Sequence, residues 1–196
     1  MTLKEYNERL SDALRDVETS LGETMVKLGT EALTLIKRRV QETGTNAEGN
    51  KFRAYSTDKM YVGSKQMNAS VAKSFFGKEN NKKHDWVTLQ RGGKNYRLAV
   101  LKGGYEEFRK MHGRRTDITD FTFYDKMWGS MHIISNKTEH NSGTVVIGPA
   151  TDEEMNKLKG NVDKRGQILD LSDEEITGIA NRFKLDTLRI MRNNGL

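Results

Sequence analysis

An α+β fold is predicted, and three observations predict it. Leu14, Leu21, Leu28 and Leu35 recur every seven residues. Two pairs of β-rich segments, 86–89 with 96–101 and 131–135 with 144–148, each flank a turn-rich stretch. A capped amphipathic pattern then runs from Ser172 to the end. The expected architecture is a long N-terminal helix and a C-terminal helix packed on a small, mostly antiparallel sheet, with a basic segment inserted. As domains this reads as a single unit over 1–196: helix to 42, basic insertion or extension over 57–115, sheet and C-terminal helix over 119–196.

The helix of residues 2–42 follows from the leucines together with Leu3, Leu10 and Val17, an a/d stripe over several heptads. Gly22 and Gly29 interrupt it one heptad apart, each costing about 1 kcal/mol relative to Ala. They permit a close backbone approach or a bend. Packing on its own domain is expected for the half nearest Ile36, and packing on another subunit elsewhere. The Gly/Asn cluster of 42–50 cannot sustain a helix.

Trp86-Val-Thr-Leu and Tyr96-Arg-Leu-Ala-Val-Leu predict a hairpin around Arg91-Gly-Gly-Lys-Asn. Before it, Phe75 and Phe76 are the main apolar anchors of a polar stretch, and 105–111 has helical character. A short helix is predicted over 119–129, with Asp117 and Asp120 at its N-terminal dipole. Two antiparallel strands, 131–135 and 144–148, follow around 136–143, and Pro149, the only proline, closes the second. Thr151-Asp-Glu-Glu and Ser172-Asp-Glu-Glu carry the capping-box pattern, and Ile176, Ile179, Ala180, Phe183, Thr187 and Ile190 give the last helix its face. Asn193-Asn194-Gly195 ends it.

Composition narrows the function classes. Hydrophobic residues make up 35% of 196, below the usual ~45–50%, so part of the apolar surface is expected to serve neighbouring subunits. No run approaches the ~18 apolar residues that span a bilayer, so no membrane partner is expected. Without cysteine there is no disulfide framework and no thiolate metal site. Synthesis in a cytosol without an export signal is expected. The net charge of +6 is unevenly placed: residues 51–115 hold 16 Lys/Arg against 5 Asp/Glu. Such a surplus meets nucleic acid, meets an acidic protein surface, or is simply solvated. Lys82, Lys83, Arg91, Lys94, Arg97, Arg114 and Arg115 are its candidate contacts. Trp86 and Tyr96, beside Arg91, Lys94 and Arg97 on a predicted hairpin, form the only stretch that partly meets the pattern of a nucleic-acid module, with aromatics interleaved among cations on a sheet.

Catalytic patterns are not found. Gly44 to Lys51 departs from a phosphate loop because the Lys is displaced, Phe52 replaces Ser/Thr, and a helix precedes it. His84, His112, His132 and His140 lack metal-ligand spacing and read as surface or packed residues. Glu153, Glu154, Glu174 and Glu175 read as helix-start residues, and Lys37-Arg38-Arg39 as cations at a helix C-terminus. No enzyme, cofactor or metal is expected.

Four segments occur in a telling order after the long helix: Lys51-Phe-Arg-Ala-Tyr-Ser, Met127-Trp-Gly-Ser-Met-His-Ile, Gly143-Thr-Val-Val-Ile-Gly, and Lys164-Arg-Gly-Gln-Ile-Leu-Asp-Leu-Ser-Asp-Glu-Glu-Ile. This pattern resembles the tail-completion, or phage virion morphogenesis, family of bacteriophage neck and tail proteins. It covers about residues 20–56 and 120–195. Gly166 stands where the family often has Pro, and Asp170 where it often has an aromatic or Gly. The resemblance implies a virion structural subunit made in the host cytoplasm. Such subunits form homo-oligomeric rings of 6 or 12 copies, stacked on the portal or capping the tail tube against adjoining neck proteins. DNA passes through the lumen and is touched there without sequence preference. Arg165, Ile168, Leu169, Leu171 and Ser172 are then expected to form a structural joint into the last helix, with the three aliphatic residues buried.

Overall fold

The computed structural model describes residues 1–77, 85–122, 126–139 and 142–196. In chain order the elements are α1 (Leu3–Thr43), β1 (Met60–Val62), α2 (Ala69–Phe76), β2 (Trp86–Arg91), β3 (Lys94–Leu101), α3 (Gly104–Met111), α4 (Lys126–Gly129), β4 (Met131–Glu139), β5 (Ser142–Pro149), α5 (Asp152–Arg165) and α6 (Asp173–Asn193). The fold is the expected α+β arrangement, with an antiparallel sheet in the order β1–β3–β2 and an antiparallel hairpin β4–β5. The chain divides into two compact units, one of Met1–Phe52 with Tyr124–Leu196 and one of Arg53–Phe123.

In the first unit α1 is the longest element. Thr2 caps it: its hydroxyl accepts from the Glu5 N–H at 3.2 Å, and the Glu5 carboxylate accepts from the Thr2 N–H at 2.8 Å. It ends at Gly44, whose left-handed φ of 67° suits a residue without Cβ. At 1.5 Å per residue its 41 residues span about 60 Å. It packs on β4, β5 and α6. The glycines serve close approach. A Cβ on Gly29 would lie 2.7 Å from Val145 Cγ1, and the Asn136 side-chain amide donates to the Gly22 carbonyl at 2.9 Å. The leucine stripe changes character along the helix. Leu28, Ala32, Ile36 and Val40 are buried, whereas Leu14 is 57% exposed.

The β4–β5 hairpin is longer than the sequence pattern suggested. Its pairing continues through Thr138↔Gly143 and Glu139↔Ser142, with an irregularity between Ile133 and Ser135. The polar residues 136–139 read as loop because they lack apolar alternation. They pair with β5 throughout, and the hydrogen bond from Asn136 to Gly22 ties the start of this stretch to α1. His140 lies outside the described residues.

The second unit, Arg53–Phe123, contains most of the segment read as an insertion and has its own core. Val62, Met67, Phe75, Ala99, Leu101 and Phe108 form it, with Trp86 and Phe76 packed against them. Asn68 caps α2 by accepting from the Val71 N–H at 2.9 Å. Gly104 starts α3 with φ 62°, and a Cβ there would meet the Ser56 carbonyl oxygen at 2.8 Å and the Thr57 carbonyl carbon at 2.7 Å. Only glycine fits this place.

The helix predicted over 119–129 is confined to Lys126–Gly129; Phe123 lies outside the described residues. Asp120 does not serve a helix dipole. Its Oδ1 accepts from Arg109 Nη2 at 2.9 Å, from the Tyr55 hydroxyl at 2.9 Å and from the Thr122 N–H at 2.9 Å. Phe121, with φ 55°, turns the backbone out of any helical path. Asp117 instead pairs with Arg115 at 2.6 Å, and that hydrogen bond holds its carboxyl down to about 2.

Arg109 is 1% exposed. Its Nε donates to the Arg115 carbonyl at 2.8 Å, its Nη1 to the Thr122 carbonyl at 2.7 Å, and its guanidinium carbon lies 4.2 Å from the Tyr55 ring centre. A buried cation is tolerable only when paired and hydrogen-bonded, and each of the three nitrogens of Arg109 has a partner. Burial, followed by the Asp120 charge, pushes the Tyr55 hydroxyl well above its ordinary value.

Removing Asp120 (Asp120→Ala) is expected to cost about 3–5 kcal/mol, because it strands a buried guanidinium. Tyr55→Phe is expected to cost about 1 kcal/mol at neutral pH. Since folding raises the Tyr55 pKa, its contribution is complete below the unfolded value of about 10 and is lost as pH rises above it. Denaturant titrations from pH 7 to 11 should show a shallower alkaline decline for Tyr55→Phe than for the natural chain.

Candidate interaction surfaces

Three surfaces emerge from the fold. The first lies on α1 and α6. From Leu28 to Val40 the apolar line of α1 is covered within its own unit. Towards the N-terminus Leu3, Tyr6 and Leu14 continue it in the open. No residue of α6 is buried. Ile176, Phe183, Leu185 and Leu188 are exposed on it, Leu185 to 61%. The far face of the β4–β5 hairpin adds Ile134 and Val146, also exposed.

The second is the joint between α5 and α6. Arg165 is the last residue of α5, and Gly166 caps it with φ 87°. Ile168 is completely buried. Leu169 and Leu171 are only half-buried, so the expectation that all three aliphatic residues are buried is corrected for these two. Ser172 caps α6 in a capping box with Glu175, as its sequence pattern indicates.

A residue that the sequence reading assigned elsewhere holds this joint. Arg39 does not serve the dipole of α1, whose last turn contains no cation. Its guanidinium instead donates to Glu175 Oε1 at 3.0 Å, to the Thr45 carbonyl at 2.8 Å and to the Asp170 carbonyl at 2.6 Å. One side chain therefore ties the end of α1, the turn after it and the start of α6. No local pattern could reveal this, since the partners are 136 and 131 residues away for Glu175 and Asp170. Glu175 consequently has two roles, box and ion pair. Glu154 is buried and pairs with Lys157 at 2.8 Å.

The third surface is the β1–β3–β2 sheet. Its register places Trp86 opposite Ala99 and Thr88 opposite Arg97, on the face that carries the core. Leu89 opposite Tyr96, and Arg91 opposite Lys94, occupy the other face. The aromatic and basic residues grouped by sequence are thus split. Arg97 lies over Trp86, 4.2 Å from the ring centre, while Tyr96, Arg91 and Lys94 share the outer face. Arg114 and Arg115 belong to the turn after α3, where the Arg114 N–H donates to the Arg109 carbonyl. Lys82, Lys83 and His84 lie outside the described residues.

His112 is packed, its Nδ1 2.7 Å from the Phe108 carbonyl, and His132 lies 3.1 Å from the Ser130 carbonyl. Among the described residues no three acidic or histidine side chains converge as metal ligands, and no helix is long and apolar enough to cross a membrane. No family model, curated protein or solved structure matches this chain.

The contrast in burial along the joint gives a test. Ile168→Ala is expected to destabilise by about 2–5 kcal/mol, the range for a truncated core side chain, and Leu169→Ala by clearly less. Chemical denaturation of the two variants checks the order.

Proposed function

We propose that this chain is a structural subunit of a homo-oligomeric ring in the neck or tail-completion region of a bacteriophage particle, joining portal to tail while DNA passes through. The observation that carries the reading is the apolar surface left open on α1 and α6. Leu3, Leu14, Ile176, Leu185 and Leu188 are all exposed, and large apolar side chains left in water on two helices of one unit gain when another protein covers them. The sequence resemblance supplies the kind of assembly.

The open residues lie on different elements, so the contact suits a heterologous interface, in which one face of a subunit meets a different face of the next. Repetition of such a contact closes a ring when the rotation permits. Each contact must bury more than about 1,000 Å² to be stable. The joint held by Arg39 fits this role, because it fixes α6 against α1 and so keeps the two contact faces in a set relation. No chemistry is required of the subunit. A basic nucleic-acid-binding protein is the alternative, and it draws on the outer sheet face.

Native mass measurement at micromolar concentration, alone and with portal complexes, is expected to give six or twelve times the 22.4 kDa subunit mass. Leu14→Glu, at a side chain already open to water, should leave the melting temperature unchanged and shift the mass to that of the monomer. A natural chain that stays monomeric and never joins particles overturns the reading.

A further inference from the structure

The outer face of the β1–β3–β2 sheet has a composition that neither the fold nor ring formation requires. Strand alternation and register put Tyr61, Val87, Leu89, Arg91, Lys94, Tyr96 and Leu98 on it. Tyr61 is 48% exposed and Tyr96 46% exposed, and Leu89 is open beside Tyr96. An open groove of about 680 Å³ runs over this face, lined by both tyrosines, Leu89, Leu98, Arg91 and Lys94. Tyr61 pairs with Val100, four positions along β3 from Tyr96, which separates the rings by roughly 13 Å along the strand. The cations stand at the hairpin tip, clear of the tyrosines. At the opposite end Asp85 is paired with Lys102 at 2.8 Å, with Lys59 also acting on it.

We propose that this face binds single-stranded nucleic acid, with bases stacked on Tyr61 and Tyr96, Leu89 and Leu98 flooring the groove between them, and Arg91 and Lys94 taking backbone phosphates. Two features favour this occupant over an acidic protein. The flat, half-exposed rings offer stacking surface that carboxylates do not use, and Arg91 and Lys94 stand at the hairpin tip beyond Tyr96 on the same face, where the backbone of a strand lying along the groove would pass. Stacking on aromatic side chains over a positively charged groove is the general means of holding unpaired strands, and it tolerates any sequence because every base has a π-face. Duplex DNA hides its base faces, so it would engage only the cations. The surrounding unit agrees in sign: Arg53–Phe123 holds 15 Lys/Arg against 7 Asp/Glu. The inference is independent of ring formation.

The test is fluorescence anisotropy of a labelled 20-nucleotide oligothymidylate with the full chain, at low and moderate salt. Binding is expected, stronger than to a duplex of equal length. Tyr61→Ala and Tyr96→Ala should each weaken it about ten-fold, the scale of one lost base stack, while Tyr96→Phe retains it. Both tyrosines are half-exposed, so melting temperatures should hold. Arg91→Ala with Lys94→Ala should flatten the salt dependence. Absence of binding at low salt overturns the proposal. Equal affinity for duplex with unaffected tyrosine variants also overturns it, leaving only charge. Full displacement of the oligonucleotide by a polyglutamate peptide of equal length, with direct peptide binding that survives both tyrosine substitutions, overturns it in favour of an acidic protein partner.

Discussion

A 41-residue helix with four leucines at seven-residue spacing needs something laid along its apolar line, and the first unit is organised by that need. The β4–β5 hairpin covers one flank, close enough that Gly29 has no room for a Cβ beside Val145. α6 covers another, antiparallel to α1. Arg39 joins Glu175 near one end, and Asn194 donates to Asp16 at 3.0 Å near the other. This cover does not reach Leu3 or Leu14. At ~25 cal/mol per Å² of apolar surface removed from water, these side chains gain when a further protein surface extends the cover.

Two arginines, one in each unit, fix the local geometry around them. Arg39 binds two carbonyls and a carboxylate from three stretches of chain. Arg109 does the same inside the second unit, with Asp120, the Arg115 and Thr122 carbonyls and the Tyr55 ring. Arginine suits both positions because its planar, permanently charged fork meets several acceptors at once. Each closes a loop onto a helix.

Much of the fold was legible locally. The heptad leucines, the capping box at Ser172, the Thr151 cap and the alternation in 86–101 report interactions between neighbours in sequence, and the elements they predict are present. What misled was local chemistry overruled by distant partners. Asp117 and Asp120 look like helix-start residues, but Asp120 is taken by Arg109 and Tyr55, and the backbone at Phe121 leaves the helical region. Arg39 looks like a dipole cation until Glu175 and Asp170 are brought beside it. For the interaction surfaces, the sequence marked Tyr96, Arg91, Lys94, Trp86 and Arg97 as one group. Only strand register separates those facing the core from those facing outward, and Tyr61 joins the outer set from another strand. Burial of Ile168 but not of Leu169 likewise depends on how the joint is turned, which no periodicity encodes.

The central claim is that two different surfaces of the chain, the open part of α1 and the outer side of α6, bind one another between copies. Mixing two blocked variants tests it most directly. Leu14→Glu disables one surface and Leu185→Glu the other, so each alone should be monomeric. In an equimolar mixture each partner retains the surface the other lacks, and one contact can form. Native mass spectrometry is then expected to show a 1:1 heterodimer of twice the 22.4 kDa subunit mass and nothing larger. A mixture that remains monomeric, or either variant still assembling alone, would contradict the claim.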